Sequence, residues 1–499
     1  MKQAFIIASL GIVGSAFSQA TSPMLYVTNN VSGSVSAFSR AADGSLTFVG
    51  VYAVGTNPQD CGLTLDGRNL VVINAGIQTV EEVHTFVVNA DGSLTLQFPP
   101  STVGDGPLSL SVTNTNYALV PSATADNLTS FHVTGDNTSF VQAVPAGVFP
   151  TKVLAAPNSK LAFLTDATAD VLRTFTVSPT GLLAETDIDS LAAGSLQGLA
   201  ISPDGLTLYA STALMNIVYW LSVDYQNNSV TEVSNAASGG SSCVEMAMHP
   251  QGTYLYVCNV VSDTLTVMPV ASDGSLSNSI YSYLIGSDIR DVVTDGRYVY
   301  VTDESSISMS PVGVIVFRIE SDGSLTRLTT NVTSGGRPQF MQLWDPNYNT
   351  LPYRFEVTRG IVRSGTRQDT VASDDLRMAF RPGVTFSTLQ APVELTLTAR
   401  SPFSNPAELR FQIEAQATSA NIRQTVLMYD WDAQAYVQVD ERQSSVGDSV
   451  VDIVRTDADR FIDDVNQTVR AKILYRATGP VFAYPWETRI DRTAWSFDN

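Results

Sequence analysis

"MLYVTNNVSGSVSAFSRAADGSLTFVGVYA", residues 24–53, holds three runs of strand-forming residues separated by turns. The middle run, "SVSAFSR", alternates polar and apolar residues, the pattern of a strand in a sheet packed on both faces. The turn "DGSL" pairs residues that tolerate tight backbone angles with a leucine that restarts the strand. It recurs at Asp43, Asp91, Asp273 and Asp322, and weaker forms stand near Asp136, Thr180 and Asn227. Seven units at a spacing of about 44 to 49 residues, each with four short strands, predict a seven-bladed β-propeller.

The first unit begins at its second strand. Its missing inner strand is matched near residue 340, where "GGRPQFMQLWDP" (335–346) follows the plan of "GTNPQDCGLTLDG" (55–67). Pro338 to Trp344 is therefore expected to complete the blade begun at Met24, which closes the ring and removes its exposed edges.

The remaining sequence has a different character. The chain has 499 residues, more than one core of ordinary size accommodates. From Tyr353 onward it carries 17 basic and 20 acidic residues, against a net charge of −20 for the whole. Strand-like segments such as "VELTLTAR" and "ELRFQIEAQ" continue without the long repeat, which predicts an antiparallel β-sandwich with jelly-roll-like connections. The expected division is a leader over 1–20, a propeller over 23–350 and a sandwich over 353–499. The leader reading rests on Lys2, a short apolar run, and Ser18 and Ala20 at cleavage spacing. It predicts export to the periplasm, cell surface or medium. No apolar run is long enough for a membrane helix, and the acidic surface disfavours nucleic acid.

"YVTN" (Tyr26 to Asn29) with "DGSL" resembles the repeats of YVTN-type bacterial surface propellers. The wider group is the lactonase-like seven-bladed propellers, which includes 6-phosphogluconolactonases. "CVEMAMHPQGTYLYVCNV" followed by "DIRDVVTDGRYVYVTDE" keeps the order of two of that family's blades. The resemblance implies lactone opening, but several charged positions differ. Val244 and Glu245 stand where the family has Arg-His, Val260 replaces an acid, Asp303 and Glu304 replace Asn-Arg, and Gln339 replaces an arginine. Ile289-Arg290 persists and Arg337 lies near in sequence, so Arg290 and Arg337 are the catalytic candidates if the chain is a lactonase.

Loop position places Asp60, Glu81, Glu82, Asp166, Asp170, Glu245, Asp263, Asp303 and Glu304 at the mouth of the ring, with Lys152, Arg290 and Arg337. The ligand-binding candidates are Asp60, Lys152, Glu245, Arg290, Asp303, Glu304 and Arg337. His249 opens the "HPQG" turn and is expected to serve that turn rather than catalysis. Cys243 and Cys258 lie symmetrically about Pro250-Gln251 and are a candidate disulfide, with two buried thiols as the alternative. No metal-ligand spacing appears and no cofactor is expected. Asp374-Asp375 and Asp463-Asp464 offer at most a calcium contact. "YDWDAQAY" (429–436) reads as a hairpin with an aromatic face or as a sugar platform. The leading expectation is an exported monomeric binding scaffold for a small molecule, glycan or envelope protein. The alternatives are a diverged lactone hydrolase and a carbohydrate-binding protein.

Overall fold

The structure, a computed structural model, describes residues 20–75, 81–135, 137–192, 194–286, 288–304, 313–328, 335–346, 350–387, 389–479 and 485–498. The leader up to residue 19 and the turn residue Asp136 lie outside these. Seven antiparallel sheets, each with a run of four strands, succeed one another up to Trp344. Their inner strands are Pro338–Trp344 (blade 1), Pro58–Leu63 (blade 2), Ser111–Val112 (blade 3), Pro150–Ala155 (blade 4), Leu196–Ile201 (blade 5), Cys243–Met248 (blade 6) and Ile289–Thr294 (blade 7). Each inner strand contacts the next, and blade 1 contacts both blades 7 and 2, so the ring is closed. Closure is by the late strand, with Trp344 opposite Met24 and Leu343 opposite Leu25.

The repeated turn explains how blades lock together. In each intact copy the aspartate Oδ1 accepts both the backbone N–H and the hydroxyl of the serine two residues on, as in Asp43 with Ser45 at 3.0 and 2.7 Å. Glycine is required twice over. Gly274 has φ +85°, and a Cβ there would stand 2.2 Å from the Thr207 hydroxyl of the preceding blade. Tyr209 of that same blade donates its hydroxyl to the Gly274 carbonyl at 2.8 Å. Tyr26 and Gly92 repeat the contact between blades 1 and 2 at 3.2 Å.

His249 does serve a turn. Its Nδ1 accepts the Gln251 N–H at 3.0 Å, and Nε2 donates to the Gly296 carbonyl of blade 7 at 3.0 Å. The ring is fully buried, and burial pushes its pKa down to about 4. The unfolded chain therefore takes up this proton first as pH falls. The stability contributed is complete above pH 6.5 and is lost between there and about 4, a loss of about 3 kcal/mol. His249→Gln is expected to destabilise strongly at pH 7.5 and much less at pH 4.5, read from urea midpoints of both proteins.

The cysteines do not pair. A bulge at Val244 puts Asn259 opposite Cys243 and Glu245 opposite Cys258, so the two side chains enter different core clusters. Both are free and buried, and the Cys243 thiol donates to the Thr212 carbonyl at 2.9 Å.

Beyond residue 350, two five-stranded sheets share one core containing Phe411, Trp486 and Trp495. Strands Met378–Arg381, Thr488–Asp498, Glu408–Ala417 and Ser449–Arg455 lie side by side in one. Val393–Arg400, Thr468–Ala477, Ile422–Asp430 and Ala435–Gln443 form the other, which is the jelly-roll order. This domain sits under the propeller. Leu65 of blade 2 packs on its core, and Asn114 of blade 3 donates to the Pro402 carbonyl. Arg400 donates to the Asp204 carbonyl of blade 5, and Arg367 to the Gln251 carbonyl of blade 6. Leu351 lies against Gly296 of blade 7. The lower end of the channel is thus covered by the sandwich.

Candidate functional site: a charged ring in the channel

Six inner strands, those of blades 1, 2, 4, 5, 6 and 7, change register against the second strand of their blade near the upper end. Such bulges re-aim side chains. Counting from the regular pairs below them places Asp60, Ser109, Lys152, Gly198, Glu245, Asp291 and Phe340 at one level, one from each blade. Five of these line a pocket of about 460 Å³ in the channel: Asp60, Lys152, Glu245, Asp291 and Phe340.

The Lys152 ammonium is the centre of this ring. It lies 3.0 Å from Glu245 Oε1, 3.9 Å from Asp60 Oδ2 and 4.8 Å from the centre of the Phe340 ring. Burial alone would lower its pKa, but the carboxylates of Glu245, Asp60 and Asp291 outweigh that and hold it charged. Burial lifts Asp60 to about 6 despite the attraction of Lys152. Asp291 is lifted well above the carboxylate range, by burial first and then by the charge of Glu245. The ring therefore sets an ammonium beside two carboxyl groups, Asp60 and Asp291, whose proton affinity burial raises. Two of the acids also tie blades together. Asp60 Oδ2 accepts the Leu110 N–H at 2.8 Å, and Asp291 Oδ2 accepts the Met341 N–H at 2.7 Å.

Asp60, Lys152 and Glu245 are brought together, on the inner strands inside the channel rather than on the loops at its mouth. Asp291 and Phe340 were not among the expected residues. The signal for Asp291 is its register: the turn is shorter in blade 7, where Thr294 faces Val299, than in blade 6, where Met248 faces Leu255. The shorter turn moves the ring position from Arg290 to its neighbour.

Arg290, Arg337 and Glu304 form a second group outside this pocket lining. Arg337 Nε donates to Glu304 Oε2 at 3.0 Å, and Arg290 Nε lies 3.9 Å from Oε1. The Arg290 guanidinium is 5.8 Å from the centre of the Phe340 ring, which it shares with Lys152. Asp303 is buried at the end of its strand and also lies outside the pocket lining. Several expected mouth acids hold loops instead. Asp166 accepts the N–H groups of Val148, Thr168 and Ala169, Asp170 those of Gly194 and Ser195, and Asp263 that of Asp288. Glu82 pairs with His84 at 2.9 Å, and Glu81 is buried.

In the sandwich, Asp375, Asp448 and Asp491 converge, and Arg377 bonds the first two. Asp463 accepts N–H groups of its own loop, from Val465 and Asn466. The "YDWDAQAY" segment is a hairpin turn capped by Asp430, whose Oδ1 accepts the Ala433 N–H. Cations cover its rings, with Arg470 5.0 Å from the centre of Trp431 and Lys472 4.5 Å from that of Tyr436.

The chain thus forms a closed seven-bladed ring with a charged central pocket. Residues 186–287 match the family described as lactonase, seven-bladed β-propeller, so the ring is lactonase-like. Among solved structures, a Bacteroides fragilis protein named as a 6-phosphogluconolactonase superposes with TM-score 0.58 at 17% identity, over 65% of this chain and 98% of its own. One from Bacteroides uniformis bearing the same name gives 0.58 at 18%, over 64% and 99%. A Lactobacillus plantarum protein gives 0.58 at 16%, over 65% and 99%. At such identities the likeness is one of fold. No curated protein matches the chain.

Proposed function

We propose that this protein is an exported hydrolase that opens lactones in the propeller channel. The observation that carries the reading is the Lys152 ammonium held among the carboxyl groups of Glu245, Asp60 and Asp291 in the pocket of a lactonase-like ring. Lys152 polarises the lactone carbonyl and holds the oxyanion that forms on it. Glu245 takes a proton from water as its oxygen bonds to the carbonyl carbon. The ring C–O bond then breaks, and Asp291 gives its proton to the departing alkoxide. The product is the open hydroxy acid, and the Glu245 proton returns to Asp291. The lactonase-like match favours this over the non-catalytic scaffold. The inter-blade bonds of Asp60 and Asp291 support the scaffold as a second reading, since they give both acids a structural task.

Export is supported by the leader pattern of residues 1–20. Among the described residues no helix is long and apolar enough to cross a membrane.

The test is base consumption by the purified protein over a panel of sugar, aromatic and alkyl lactones. Glu245→Gln is expected to lower kcat by a factor of about 10² to 10⁴ with little change in KM. Absence of turnover on the whole panel would return the protein to the scaffold reading.

A further inference from the structure

Below the charged ring the channel changes character. Farther down, the same pocket is lined by Leu154 and Val293, two residues below the ring level on its face of the strand, and by Leu63, Val112, Met248 and Leu343, three below; all are half-buried. The polar side chains at this depth each make at least one bond within the protein. Ser111 accepts the Ala155 N–H, Thr294 donates to the Tyr298 carbonyl, and Gln342 donates to the Leu343 carbonyl. A polyhydroxylated ring placed here would leave hydroxyls unpaired against leucine, valine and methionine. An apolar chain would displace poorly bonded water and bury surface on both sides. The space continues downward. A second cavity of about 620 Å³ shares Thr294 and Leu343 with the first; Leu351 and Val371 line it beyond the propeller, and Arg40, Asp295, Arg297, Asp345 and Arg492 make the rest of it charged, so the apolar stretch ends there.

We propose that the substrate is a lactone bearing a hydrophobic chain, its ring held by Lys152 and its chain directed down the channel toward the sandwich. The proposal rests on the hydrolase reading and narrows it. Stacked polar and apolar levels sort an amphiphile by orientation: a chain pointing up would meet Asp60, Glu245 and Asp291, and the lactone carbonyl would lose Lys152. The sandwich then has a part in the site, because it covers the end of the chain's path.

The experiment compares δ-lactones carrying methyl, propyl, pentyl and heptyl substituents with glucono-δ-lactone, using the full chain. The expected result is a kcat/KM that rises about threefold for each methylene buried, levelling off once the channel is filled. Glucono-δ-lactone as the best substrate, with a flat alkyl series, overturns the proposal and leaves the hydrolase reading intact. If no lactone is turned over, the hydrolase reading fails, and calorimetric binding of the matching alkyl δ-lactams decides the chain pocket by itself. Affinity rising along the lactam series supports it, and a flat series overturns it. Leu63→Asn with Met248→Gln is expected to flatten the alkyl slope, while an unchanged slope in a folded variant counts against this placement.

Discussion

Lys152→Met is expected to lower kcat/KM for the proposed lactone opening by about a thousandfold, the scale of losing a principal oxyanion donor. Methionine keeps the length and apolar stem of lysine and removes only the ammonium. That ammonium stands 3.0 Å from Glu245 and 3.9 Å from Asp60, so its loss acts on both sides of the reaction. The developing oxyanion loses its positive partner. Asp60 and Asp291 also lose the charge that favours their ionised forms, so both are pushed toward the protonated state. Proton uptake lets the variant keep its fold, since neutral carboxyls do not repel. Steady-state rates across pH with a thermal midpoint on the same sample check this. A folded variant with kcat/KM within threefold of the parent would make Lys152 a structural counter-ion.

Trp344→Ala is expected to destabilise the propeller by about 4 kcal/mol, within the range for removing a large buried aromatic. The indole is 5% exposed and lies on the Gly67 turn, where a Cβ would come within 2.2 Å of it. Its Nε1 donates to the Ala20 carbonyl at 3.1 Å, and its own carbonyl accepts from Arg40 Nη2 at 3.0 Å. One side chain thus joins the closing strand, the first described residue and blade 2. A ring depends on its closing strand more than an open sheet does, because losing it bares two edges at once. The melting midpoint is expected to fall by about 5 °C. A fall below 1 °C would mean that the ring is held elsewhere.

The repeat and its closure are legible in the sequence because they depend on local chemistry. Asp-Gly-Ser-Leu makes the same turn wherever it stands, and alternation sets which residues face the next blade. The division between propeller and sandwich shows for a similar reason, as charge balance and repeat length change where the surface does. Asp60, Lys152 and Glu245 are identifiable as one group from their place in the repeat, and His249 from the turn it opens.

Register is what the sequence does not display. The bulge at Val244 separates Cys243 from Cys258, and the shorter blade 7 turn puts Asp291 rather than Arg290 in the ring. Both follow from a one-residue slip, which reverses the face of every later side chain and leaves composition unchanged. The charged ring itself joins residues up to 280 positions apart, and their shifted ionisation exists only once burial and mutual charge act together. By itself the chain determines seven blades and their order. Only the closed ring decides that four ionisable side chains share one pocket, because that juxtaposition is set by packing between blades.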